Sequence, residues 1–180
     1  MIAVRELKNK EAELVARYFL DASPDFLKSM GVDREKLPSL DEWVGRIQSD
    51  FEKPMEEKEF FYVLWMFENK PIGHSNINKI IYGQEAYMHL HLWGADKRHQ
   101  GIGTSLLRLS LPYYFRNFKL NELFCEPHAL NPAPNKTLER MGFELVKQYE
   151  TTPGWLNFHQ PVNRWRMTKN GFLLSGNSVA

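Results

Sequence analysis

His89-Leu-His-Leu-Trp-Gly-Ala-Asp-Lys-Arg98-His-Gln-Gly101-Ile-Gly103-Thr-Ser-Leu-Leu107 contains the three parts from which the fold is read. Ala86 to Trp93 alternates and lacks Gly and Pro, which predicts a strand. Gly94 to Gly103 is polar, basic and glycine-containing. From Thr104 the leucines Leu106, Leu107, Leu109 and Leu111 begin a helical pattern, with Thr104 or Ser105 as its expected cap. Strand, glycine loop and helix start together make an anion site. Glycines admit close backbone approach, and the first N–H groups of a helix lack intrahelical partners. Arg98 adds a fixed positive charge.

The loop excludes two common phosphate binders. A P-loop needs a Gly-Lys-Ser/Thr ending, which is missing. The dinucleotide fingerprint needs a third glycine where Leu106 stands. What remains is Arg98-x-x-Gly101-x-Gly103.

On the N-terminal side, Ile2 to Leu7 is an expected strand, and Glu11 to Leu20 a helix with Leu14, Val15, Tyr18 and Phe19 on one face. Asp25 to Pro38 reads as loop or short helix. Ser39 or Asp41 opens a second helix carrying Trp43, Ile47 and Phe51, and Pro54 stops it. Glu59 to Phe67 is apolar on both faces, which predicts a central strand covered on both sides. Tight turns connect it to Pro71–Ile81, with Asn76 and Asn78 on one face, and then to the strand before Arg98. The three form an antiparallel meander.

On the C-terminal side, Pro112 is expected to kink or end the leucine helix. Asn121 to Glu126 is a short strand, entered from a helix and so placed parallel to the strand before that helix. In Asn131-Pro-Ala-Pro-Asn-Lys-Thr-Leu-Glu-Arg-Met-Gly142-Phe143, Asn131 caps a helix, Pro132 takes its first position and Gly142 ends it. Phe143 to Thr151 and Val162 to Lys169 form a closing pair of strands. Residues 170–180 are expected to be a poorly ordered tail beyond one domain of residues 1–169.

With 180 residues, 43% of them apolar and 25% charged, the chain has the size and make-up of one soluble domain. A net charge of +1 argues against nucleic acid or a membrane surface as partner. No run approaches the ~18 apolar residues of a membrane span. The single Cys125 excludes an internal disulfide and points to a reducing, cytoplasmic setting.

The Arg98 loop, followed by strand and Asn-opened helix ending in Gly142-Phe143, resembles the GNAT acyl-CoA-dependent N-acyltransferases. Within that family, the Asn131–Phe143 stretch resembles the branch of ribosomal-protein N-terminal, aminoglycoside 6′-N- and siderophore-precursor acetyltransferases. The resemblance implies an α/β (α+β) single-domain fold: a mixed, mostly antiparallel sheet of about seven strands, splayed at the centre, with helices on both faces. It implies acetyl-CoA as co-substrate and no metal. The pyrophosphate is then expected at Arg98 and the N–H groups of His99, Gln100, Gly101, Ile102, Gly103 and Thr104. Pantetheine is expected along Leu92, Trp93 and Gly94, with Asn131 and Asn135 as further cofactor contacts. The implied reaction is direct transfer of acetyl to a primary amine, on a small molecule or a peptide N-terminus, by a monomer or homodimer. The alternative is a non-catalytic acyl-CoA-binding module. Leu138, where many members carry a thiolate-protonating tyrosine, keeps that alternative open.

An alkyl amine has pKa ~10 and must lose a proton before attack. Glu126, at a strand end, is the first candidate base, against the reading of a solvated or loop-bracing carboxylate. His89 and His91 share a strand face ~7 Å apart and are the second; without an acidic or histidine partner at ligand spacing they do not predict a metal site. Trp155 and Phe158, in the loop between the last strands, are the expected amine contacts. Near-neutral charge and that aromatic loop argue against a highly cationic aminoglycoside.

Overall fold

The computed structural model describes residues 1–93 and 101–177. One seven-stranded sheet has the order β1-β2-β3-β4-β5-β7-β6. Its strands are β1 (Ile2–Glu6), β2 (Phe61–Phe67), β3 (Lys70–Ile81), β4 (Glu85–Leu92), β5 (Glu122–Cys125), β6 (Glu144–Thr151) and β7 (Gln160–Thr168). Among the described residues only the β4–β5 pairing is parallel. The expected meander is β2-β3-β4.

Helices α1 (Ala12–Leu20), α2 (Pro24–Ser29) and α3 (Leu40–Phe51) belong to one face, and α4 (Ile102–Asn117) and α5 (Pro132–Arg140) to the other. Strand β2 shows why its sequence is apolar throughout. Phe61, Val63 and Trp65 pack with the α4 residues Leu106, Leu111 and Tyr114, whereas Leu64 packs with Val15, Phe19, Trp43 and Ile47 of α1 and α3. Each fully buried side chain of this size contributes roughly 1.5–3 kcal/mol. Ser39 and Glu42 form a reciprocal capping box at the start of α3. Asn131 Oδ1 accepts from Ala133 N at 3.3 Å, and Gly142 adopts φ +80°, as expected at the two ends of α5.

Three expectations need correction. Helix α4 starts at Ile102, with Gly101 in the left-handed region (φ +73°) as its cap, so neither Thr104 nor Ser105 caps it. Pro112 does not end α4, which runs on to Asn117. One backbone hydrogen bond is lost there, but Leu111, Tyr114 and Phe115 are buried around it, and Tyr114 Oη pairs with Ser75 Oγ at 2.6 Å. Residues 170–177 are helical: α6 (Lys169–Phe172) continues into a π-helical turn, Leu173–Asn177. The reason is Phe172, which is buried and stacks on Phe115 with centroids 4.6 Å apart.

Among the described residues no helix is long and apolar enough to cross a membrane.

Candidate active site

The β4–β5 ladder stops at Met88↔Cys125, although β4 continues to Leu92. A cavity of ≈ 740 Å³ lies where the ladder ends, with Leu90 and Leu92 on one wall and Cys125, Glu126 and Pro127 on another. At one end it meets Gly101, Ile102, Gly103 and Thr104 together with Asn131–Pro134, Lys136 and Arg140 of α5. At the other it meets aromatic side chains of α1, α2 and α3 and the Trp155 loop.

The glycine end fits a pyrophosphate. Gly101 offers no side-chain oxygen to the first turn of α4, so those N–H groups have no side-chain cap. A Cβ at Gly101 or Gly103 would meet no heavy atom within 4 Å, so the space beside both is open. Gly94, Arg98, His99 and Gln100 lie outside the described residues. Leu92 lines the cavity, whereas Trp93 does not. Its N–H bonds Ile72 O at 2.8 Å, and its indole N–H donates to His74 Nδ1 at 2.9 Å.

Asn131 also lines the cavity; Asn135 does not. The Asn135 amide donates to His128 O and Asn131 O, at 3.1 and 2.7 Å, and accepts from Asn163 Nδ2 and Trp165 Nε1, at 2.9 and 2.8 Å. Two donors and two acceptors exhaust an asparagine side chain. Asn135 therefore braces α5 against β7 and has no capacity left for a cofactor in this arrangement.

Glu126 stands at the cavity wall as expected, but its side chain is only 5% exposed. Arg164 Nε donates to Oε1 at 2.6 Å, the Tyr149 hydroxyl donates to the same oxygen, and Arg164 Nη2 reaches Tyr149 Oη at 2.6 Å. Burial and the neighbouring carboxylate push Tyr149 up to about 12. This triad favours the loop-bracing reading of Glu126. Glu126 Oε1 is already engaged by a guanidinium and a phenol hydroxyl.

The histidines form a larger group than the sequence reading found. The β3–β4 register sets His74 opposite His91 and Asn76 opposite His89. The His74 and His91 rings are 4.8 Å apart, and His89 Nε2 lies 3.2 Å from Asn78 Oδ1. Gly73 permits this close pairing, because a side chain there would strike the His91 carbonyl. Burial pushes His89 down to about 4, helped by Lys79, and His74 down to about 3; His91 lies well below the usual range for the same reason. All three are neutral at pH 7. His74 was overlooked, although it sits two residues before Asn76 on the face already recognised as polar. Burial also raises the Cys125 thiol, which rules it out as a ready thiolate.

Trp155 is on the cavity wall and 40% exposed, in edge contact with Trp43 at 5.7 Å. Phe158 is not on that wall. Arg46, which sequence reasoning missed, is. No group of three or more His, Cys, Asp or Glu able to hold a metal occurs among the described residues.

A sheet that opens between two parallel strands, with an uncapped helix start at the opening, defines the class of CoA-dependent acyltransferases. The chain belongs to the Acetyltransferase (GNAT) domain family, which matches residues 2–144. Solved structures share its fold. A ribosomal L7/L12 alpha-N-protein acetyltransferase in complex with coenzyme A is 17% identical, with TM-score 0.74, covering 94% of this chain and 95% of that one. Spermidine N-acetyltransferase from Vibrio cholerae in complex with CoA and spermine is 15% identical, with TM-score 0.76 and coverage of 96% and 98%. Aminoglycoside acetyltransferase AAC(6′)-Ib in complex with coenzyme A and kanamycin is 14% identical, with TM-score 0.70 and coverage of 97% and 98%. The protein is thus an acetyl-CoA-dependent acetyltransferase by family.

Proposed function

We propose that the protein transfers acetyl from acetyl-CoA to the nitrogen of a primary amine, by direct attack on the thioester. A C–N bond forms as the C–S bond breaks; the amine gives up a proton and the leaving sulfur gains one. The observation that carries this reading is the shape of the cavity. Its glycine end has helix-start donors without a side-chain cap, suited to pyrophosphate, and its aromatic end is suited to an organic acceptor.

His89 and His91 are the side chains we assign to the proton. Half-buried and neutral, they do not repel an incoming ammonium, and they stand on the cavity wall. So weak a base suits an acceptor that is itself only weakly basic and already partly neutral at pH 7. An α-amino group, with pKa about 7.7–8, holds a sizeable neutral fraction at pH 7, unlike an alkyl amine near 10. Leu138 is fully buried in the core, so the leaving sulfur takes its proton from another group or from water.

The test is acetyl-CoA with a panel of amines and peptides, read by thiol release and product mass. Acetylated product with stoichiometric thiol is expected. Tight acetyl-CoA binding with no product from any amine would instead support the non-catalytic binding module.

A further inference from the structure

The aromatic end of the cavity carries a charge pattern that narrows the acceptor. Among the described residues Glu126 is the only carboxylate on the cavity wall, and Arg164 and Tyr149 hold it. Among the described residues the wall therefore has no free carboxylate to receive an ammonium or a polycation. Its described cations are Lys136 and Arg140 at the α5 end and Arg46 at the aromatic end.

Arg46 projects from α3 between two rings, with its guanidinium carbon 5.0 Å from the Phe60 centroid and 4.8 Å from that of Trp155. Rings over its faces leave the in-plane N–H donors at its edge available, and that fork matches a carboxylate in two hydrogen bonds. A second hollow shares Arg46, Phe60 and Trp155 with the cavity and is bordered by Lys58 and Lys79 together with Glu56, Glu57 and Glu59. None of them forms an ion pair with Arg46, and Glu59 is held by Lys53 at 2.6 Å. Beside Arg46 the cavity wall is apolar, with Phe60, Trp155 and, in contact with Trp155, Trp43.

We infer that the acceptor is an amine on an apolar frame that also carries a carboxylate, and that Arg46, steadied between Phe60 and Trp155, binds that carboxylate. The inference rests on the amine-acetylation reading and narrows its substrate class. A carboxylate has two sources here, a free amino acid or an acidic residue near a peptide N-terminus. In both the Arg46 contact selects the anion, and the rings accommodate the apolar part.

The test compares acceptors that differ only in the carboxylate. Phenylalanine is set against phenylalaninamide and phenethylamine, and the peptide amide Ala-Phe-Asp against Ala-Phe-Asn. Acetyl transfer is measured for wild type, Arg46→Leu and Arg46→Lys. At least a tenfold preference in kcat/KM for the carboxylate form is expected in one of the two sets, and that set identifies the source. Arg46→Leu should bring the ratio to near one, and Arg46→Lys should retain part of it. Circular dichroism and melting curves check that the variants fold, which the solvent exposure of Arg46 favours. A wild-type ratio near one in both sets, a ratio that survives Arg46→Leu, or spermidine as the best acceptor would each overturn the inference.

If no amine is acetylated, the transferase reading fails separately. The anion site is then read by binding, titrating N-acetylphenylalanine and N-acetylphenethylamine into the CoA-loaded protein with tryptophan fluorescence. Preference for the carboxylate that is lost in Arg46→Leu supports the site; equal binding of the two overturns it.

Discussion

At the scale of single residues, the carboxylate of Glu126 shows how one side chain can satisfy a sequence argument and still be committed elsewhere. With exposures of 5% for Glu126 and 24% for Arg164, removing one partner leaves the other charge largely enclosed. Glu126→Gln should lower stability by about 2–3 kcal/mol, somewhat less than breaking a fully buried pair. Replacing Arg164 by Met in the same chain should recover part of that loss. Chemical denaturation of the single and double variants measures both. A large fall in kcat/KM with unchanged stability would restore Glu126 as the base. Trp155 makes the opposite case. It is half-exposed, touches Arg46 and Trp43, and closes no core. Trp155→Ala should raise KM for the amine roughly tenfold, or about 1.4 kcal/mol of binding, and leave KM for acetyl-CoA unchanged. Steady-state kinetics with each substrate varied in turn checks this.

The elements α4 and α6 set the next level. Gly103 lies in the first turn of α4, outside the left-handed region, with open space where a Cβ would go. Gly103→Val should therefore keep the fold while placing methyl groups against the proposed pyrophosphate. Acetyl-CoA affinity should fall at least tenfold, about 1.4 kcal/mol, by calorimetry; an unchanged affinity would remove the loop from the site. The same change at Gly101 would be less informative, because φ +73° adds strain to the steric effect. At the other end of the chain, Phe172→Ala should cost about 3–4 kcal/mol, the usual scale for emptying a buried phenylalanine site. Melting of that variant separates a structural role of α6 from that of a dispensable tail.

Across the whole molecule, neutral histidines with depressed pKa values link stability to pH. Both His74 and His89 have folded values below 6.5, so the unfolded chain binds protons that the folded chain refuses. Their contribution is fully present above about pH 6.5 and is lost as pH falls, down to about 4 for His89 and about 3 for His74. Each steepens the loss by up to about 1.4 kcal/mol per pH unit in that window. Denaturation between pH 8 and pH 5 should show a plateau followed by a decline. His74→Asn should flatten that decline; an equal slope in the variant would show that His74 is not buried neutral.

The sequence by itself determined the order of the strands and of the helices α1, α3, α4 and α5, and the glycine turn before α4. Period-two and helical patterns, Gly and Pro punctuation and the Asn131 and Gly142 caps are local, so each is legible within a few residues. The two-faced apolar run of β2 was legible for the same reason. Tertiary structure alone decided which polar groups meet. Arg164 stands 38 residues from Glu126 and reaches it through the β5–β7 pairing. His74 reaches His91 through cross-strand register, and Arg46 meets Trp155 only when α3 and the last loop face one cavity. Tertiary burial likewise carried α4 past Pro112 and ordered Phe172, because packing free energy outweighs one lost hydrogen bond or a weak local propensity. Hydrogen-bond capacity follows the same rule. Whether Asn135 or Glu126 is free for a ligand depends on partners that are distant in the chain and adjacent only in the fold.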